Sequence, residues 1–221
     1  MNYLLHIETS TKVCSVAISL DGKLIALKES NDLEYSHGEN LTLFIAAVLE
    51  EASLNLQNLA AISVASGPGS YTGLRIGVST AKGLCYALGI PLIAVDALYS
   101  LAQMACDKYP GMNLCPVIDA RRMEVFNAIY TNSLETLKVI SADVIDEHSY
   151  LEFEPFVYFG DGATKLQESW EGRNCQIDST ILASASGQIP LATLKFHNKQ
   201  FEDVAYFEPF YLKDFFTPQK A

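Results

Sequence analysis

Gly67-Pro68-Gly69-Ser70-Tyr71-Thr72-Gly73-Leu74-Arg75-Ile76-Gly77 places four glycines and one proline within eleven residues. An apolar run, Ala61-Ile62-Ser63-Val64-Ala65, precedes it, and residues with helical spacing follow it. Strand, glycine-rich turn and helix together gather backbone N–H groups at a helix N-terminus, where an anion can be held. The same lack of side chains lets a second backbone come close. The choice between these two uses governs the reading of the whole chain.

Upstream, Leu4–Glu8 is apolar and Cys14, Val16, Ile18 and Leu20 alternate with small residues, as in a sheet covered on both faces. Asp21-Gly22 signals a two-residue hairpin into a third strand, Lys23–Glu29. Glu39–Ala52 has helical periodicity, with Leu41, Phe44, Ile45, Val48, Leu49 and Ala52 on one stripe; Leu43, Ala46 and Ala47 widen it almost around the helix. Downstream, a helix from about Gly73 to Leu88 ends at Gly89, Leu92–Val95 forms a strand, and Asp96 caps a helix to about Asp107.

Tyr109-Pro110-Gly111 marks a boundary. Beyond it the three-strand opening returns in type as Cys115–Asp119, Glu124–Tyr130 and Leu137–Asp143. Strand Phe156–Phe159, a glycine turn at Gly160-Asp161-Gly162 and a helix over Ser184–Phe196, interrupted near Pro190, follow. This order predicts an α/β protein of two related lobes, residues 1–108 and a smaller 109–221.

The 26 acidic residues outnumber the 15 basic ones, giving a net charge of −11. Such a chain is poorly suited to gripping nucleic acid alone. No apolar run is long enough to span a membrane and no signal-peptide pattern opens the chain. Five cysteines with no C-x-x-C pair fit buried thiols, so a cytoplasmic protein is expected.

Five segments together resemble one family: Ile7-Glu8-Thr9-Ser10-Thr11, Cys14-Ser15-Val16-Ala17, Gly67–Gly77, Ala81-Lys82-Gly83-Leu84 and Asp119-Ala120-Arg121-Arg122. They are similar to bacterial TsaB (YeaZ) proteins, within the actin-like ATPase (ASKHA) superfamily. The likeness is densest over residues 4–100 and weakens beyond about 125. It implies a two-lobed actin-like, ribonuclease-H-like fold with a reduced second lobe. It also implies a paralogue of the enzyme TsaD that acts with TsaD and the ATPase TsaE. Together these place a threonylcarbamoyl group on the adenosine next to the anticodon of certain tRNAs.

The resemblance implies no catalytic residue and no metal site in this chain. The catalytic paralogue carries two histidines at i and i+4; here Ala97 and Leu101 stand at those positions, and neither can bind a metal. Actin-like enzymes hold nucleotide phosphates between two hairpins. Glu8, Thr9 and Ser10 keep the first in part, whereas Arg121 and Arg122 replace small residues in the second. Glu8, Thr9, Ser10 and Arg121 are therefore expected as vestigial nucleotide or anion contacts, the alternative for Arg121 and Arg122 being a charged turn that pairs with neighbouring carboxylates. Nucleotide is expected only within a complex and no cofactor for the chain alone. Gly67, Gly69, Ser70, Thr72 and Gly73 are expected to shape the start of a partner-facing helix. Alternatives are a stand-alone kinase or ATPase of this fold and a glycoprotease-like peptidase.

The two helices of the first lobe carry more apolar and small surface than one sheet face covers. Either the lobe buries both faces internally, or one faces a partner. The resemblance implies the second, through Leu41, Phe44, Ile45, Val48, Ile76, Thr80, Gly83 and Ala87. The expected function is that of a non-catalytic scaffold or activator subunit, homodimeric without TsaD and TsaE, touching tRNA only through the complex and no membrane.

Overall fold

A computed structural model describes residues 1–30 and 37–213 of the chain. The first sheet has the order β3-β2-β1-β4-β5, built from β1 (Tyr3–Glu8), β2 (Cys14–Leu20), β3 (Lys23–Ser30), β4 (Leu59–Gly67) and β5 (Leu92–Asp96). β1 pairs antiparallel with β2 and parallel with β4. Asp21 and Gly22 both take positive φ, 47° and 84°, as their hairpin requires.

The second sheet repeats this topology. Its order is β10-β9-β6-β7-β8, from β6 (Asn113–Asp119), β7 (Glu124–Tyr130), β8 (Thr136–Val144), β9 (Phe156–Phe159) and β10 (Cys175–Asp178). In both sheets a three-strand antiparallel meander continues into two parallel strands. β10 has too little alternation to stand out in the sequence and is placed by its parallel pairing with β9.

Helices α1 (His37–Glu51) and α2 (Tyr71–Leu88) share one face of the first sheet, over a core that includes Ile7, Val16, Ile45, Val48, Val78 and Cys85. The other two helices exchange lobes. α3 (Ala97–Ala105) packs on the second sheet against Leu114, Ile118 and Phe126. α4 (Ile189–His197) returns to the first sheet, where Ala192 meets Leu4, Ile93 and Val95. A strict division at residue 108 is therefore corrected: it separates the two sheets but not the helices that cover them.

Pro190 does not interrupt α4. It sits in the first turn, where a missing N–H costs nothing. Among the described residues no long helix covers the outer face of the second sheet. Trp170 covers it instead, its ring edge-on to Tyr158 at 4.9 Å and to Phe156 at 5.4 Å. This is the reduction of the second lobe.

Candidate functional site

Gly69, Gly73 and Gly77 recur every four residues and line one side of the start of α2, which lies on the β1–β2 turn. A Cβ added at Gly69 would stand 2.2 Å from the Ser10 carbonyl oxygen. One at Gly73 would stand 2.1 Å from the Thr9 oxygen, and one at Gly77 2.2 Å from Thr9 Oγ1. Two donors at this helix start are also engaged. Ser70 N donates to Ser10 O at 2.6 Å, and Gly73 N donates to the capping hydroxyl of Ser70 at 3.2 Å. Thr9 Oγ1 completes the contact by donating to Gly73 O at 2.8 Å. The glycine-rich segment thus uses its freedom to admit a neighbouring backbone. Thr72 is exposed, and Gly67 lies beneath the C-terminal segment, where Phe210 N donates to Ser66 O at 2.7 Å.

Packing of α2 leaves Glu8, Thr9 and Ser10 buried. Glu8 accepts from Ser10 N at 2.7 Å and from Gln188 Nε2 at 3.4 Å. Burial pushes its carboxyl above the usual range, against those hydrogen bonds. Gln188, just ahead of α4, also donates to Ile7 O at 2.8 Å and accepts from Ser63 Oγ at 2.7 Å. Since the Ser63 hydroxyl hydrogen points to Gln188, Ser63 must accept from His6 Nδ1–H. His6 Nε2 is then the acceptor for Ser19 at 2.7 Å. Burial holds His6 down to about 3, so this chain of hydrogen bonds runs through a neutral ring. It ties the segment returning from the second lobe to the first hairpin.

The second hairpin is open to solvent. Asp119 Oδ1 accepts from Arg121 N at 2.9 Å and from Lys165 Nζ at 2.5 Å, while Asp161 Oδ1 accepts from Asp119 N at 2.9 Å. Arg121 and Arg122 are exposed. Ala97 and Leu101, at the two positions where the resemblance puts metal ligands, are each 1% exposed in the core between α3 and the second sheet.

A cavity of about 460 Å³ lies beside the start of α3, lined in part by Asp96, Tyr99, Tyr130, Leu191, Lys195 and Phe210. Asp96 caps α3, accepting from Tyr99 N at 2.7 Å. Burial pushes it up to about 6, although the amides of Tyr99 and Leu98 and the nearby Lys195 pull it down. An acid raised in the folded state stabilises most below its unfolded pKa, and that contribution is lost as pH rises through the folded one. Asn caps as well as Asp. Asp96→Asn is therefore expected to gain about 1–2 kcal/mol at pH 7.5 and little at pH 4, checked by denaturant unfolding at both pH values.

The eight residues expected at a partner interface fall into three groups. Leu41, Ile45 and Val48 are at most 6% exposed and belong to the core under α1, which corrects their assignment to an outer surface. They lie on one stripe of α1, and that stripe covers the sheet. Phe44, Ile76 and Thr80 are half-buried at the margin, and Gly83 and Ala87 are exposed. The outer face also holds Leu43, 64% exposed, Tyr86, 85% exposed, and exposed Ala46 and Ser79. Leu43 and Ala46 were visible in the sequence as apolar residues off the main stripe. Around Gly83 an added Cβ would meet nothing within 4 Å among the described residues, so no contact with them explains this mid-helix glycine.

Curated relatives and solved structures match along almost the whole chain. TsaB of Escherichia coli, a tRNA threonylcarbamoyladenosine biosynthesis protein, is 29% identical, covering 96% of this chain and 94% of its own. The structure of YeaZ from Pseudomonas aeruginosa has a TM-score of 0.83 at 27% identity, covering 96% of this chain and all of its own. An activator of 2-hydroxyisocaproyl-CoA dehydratase from Clostridium difficile shares the fold alone, with a TM-score of 0.53 at 8% identity. The two-lobed α/β architecture is thus the actin-like one. A family model described as TsaD: tRNA N6-adenosine threonylcarbamoyltransferase matches residues 31–207. With that match over most of its length, the chain belongs to the tRNA N6-adenosine threonylcarbamoyltransferase family, and its full-length relatives there are TsaB (YeaZ) proteins.

Proposed function

We propose that this chain serves tRNA threonylcarbamoyladenosine biosynthesis as a non-catalytic subunit that docks on and activates a TsaD-type transferase. The observation that carries this reading is the outer face of α1 and α2, where Leu43, Gly83, Tyr86 and Ala87 present apolar and small surface to solvent. A glycine inside a helix costs about 1 kcal/mol relative to alanine. Among the described residues none comes within 4 Å of a Cβ at Gly83 to justify that cost, and close approach of a second helix would. Small residues at such a contact let two helix backbones come together.

The filled first hairpin supports a role without nucleotide chemistry of its own. Thr9 and Ser10 are held by α2 where an actin-like kinase would admit phosphates. Any nucleotide belongs, in this reading, to the complex, as does TsaE. Without partners the same face pairs two copies of the chain. Among the described residues no helix is long and apolar enough to cross a membrane, and we place the protein in the cytoplasm. The test is co-elution of the chain with its cognate transferase in size-exclusion chromatography. Separate elution of the two at micromolar concentration would refute the reading, as would ATP turnover by the chain alone.

A further inference from the structure

The β6–β7 hairpin carries two features that the scaffold role leaves unexplained. Arg121 and Arg122 are both exposed, and their guanidinium groups make no hydrogen bond or ion pair with the described residues. Both also take positive φ, 72° and 51°, a region where asparagine or glycine sits at ease and a long side chain does not. Packing among the described residues therefore does not select arginine here.

The acids nearest the tip are already engaged. Asp119 is held by Arg121 N and Lys165, Asp161 by Asp119 N, and Glu124 by Lys213. Lys12, on the β1–β2 turn opposite, is exposed and lies close enough to act on Asp161. Together with Lys12 and Lys165, the two arginines make a cationic tip on a chain of net charge −11. Guanidinium forks suit phosphate oxygens, which accept two N–H bonds at once. The tip is exposed, and the first hairpin is packed under α2, so the two hairpins do not form a paired phosphate site. An exposed pair of forks can reach a phosphate chain that runs past it.

We propose that Arg121 and Arg122 contact the phosphate backbone of tRNA within the assembled complex. This rests on the scaffold reading above. The contact fixes the position of the tRNA rather than its sequence. It adds one or two phosphate contacts to those of the partner, which is all that so acidic a chain can contribute.

The test compares the wild-type chain with R121N/R122G and R121K/R122K, each assembled with the cognate transferase. Binding of labelled tRNA is measured by fluorescence anisotropy from 50 to 300 mM salt, as salt-dependent loss reports phosphate contacts. R121N/R122G relieves the backbone and should melt no lower than wild type. It should co-elute normally yet bind tRNA about three- to tenfold more weakly, with a log–log salt slope smaller by about 1–2. R121K/R122K should keep most of the slope. Unchanged affinity and slope in R121N/R122G would overturn the proposal, and so would loss of co-elution, which would make the tip a protein contact. If tRNA affinity is unaltered but ATP affinity of the complex falls, the phosphates recognised are those of a nucleotide and the proposal also fails. Should the wild-type chain not assemble with the transferase, the scaffold reading fails first. The tip is then judged on the chain alone in 20 mM salt, where equal tRNA binding by both proteins refutes it.

Discussion

Gly73→Ala is expected to destabilise the protein by about 3–5 kcal/mol, because overpacking against backbone has few ways to relax. The new methyl group would lie 2.1 Å from the carbonyl oxygen of Thr9, which is held in the buried β1–β2 turn. In a chain of this size that corresponds to a thermal midpoint lower by about 6–15 °C. Gly83→Ala, nearly three turns along the same helix, should act in the opposite direction. It meets open space, removes the flexibility of glycine, and should raise the stability of the isolated chain by about 0.5–1 kcal/mol. Thermal unfolding of the two variants checks the pair. Equal effects would mean that the start of α2 is not packed on the first hairpin, and the cleft would then be free for phosphate.

The second large effect concerns association. Gly83→Arg and Ala87→Glu place long charged side chains on the outer face of α2, where both positions are exposed. Neither should destabilise folding by more than about 0.5 kcal/mol, as for most surface substitutions, and Gly83→Arg also removes a helix glycine. Affinity for the transferase should fall more than about a hundredfold, since a buried unpaired charge at the centre of an interface costs about 3 kcal/mol or more. Ile76 is a poorer site for the same experiment, because it is half-buried against the core of its own lobe and a charge there would disturb folding as well. Calorimetric titration of each variant with the transferase separates the two effects. Undiminished affinity in both would move the partner surface elsewhere.

Much of this architecture was legible from local pattern. The meander β1–β3, the strand–turn–helix around Gly67 and the repeat of that order after Tyr109 all follow from alternation, glycine and proline. What local pattern does not contain is which element covers which sheet. The exchange of α3 and α4 between lobes depends on tertiary packing, so a boundary at residue 108 separates the two sheets but not the helices that pack on them. The same limit applies to α1. Its apolar residues run nearly around the helix, and the sequence alone does not say which stripe meets the sheet; Leu41, Ile45 and Val48 turned inward and Leu43 outward.

The glycine-rich segment shows the limit at a single site. Glycines spaced by four residues have the same appearance whether they admit a phosphate, a partner helix or a neighbouring turn. Only the position of Thr9 and Ser10 distinguishes these, and it gives Gly69, Gly73 and Gly77 to the turn and leaves Gly83 facing out. Arg121 and Arg122 could be read in the sequence as a departure from a phosphate-binding hairpin. Their positive φ could not, because it arises from the closure of β6 on β7.

The central claim is that this chain contributes contact rather than catalysis. Its most direct test is formation of threonylcarbamoyladenosine in tRNA by the purified transferase, with ATP and TsaE present. Assays are run without this chain, with the wild-type chain, and with the Gly83→Arg variant. Modification that requires the wild-type chain and is lost with Gly83→Arg, while the wild-type chain alone turns over no ATP, is the predicted result. Full modification without the chain, or undiminished modification with Gly83→Arg, would contradict it.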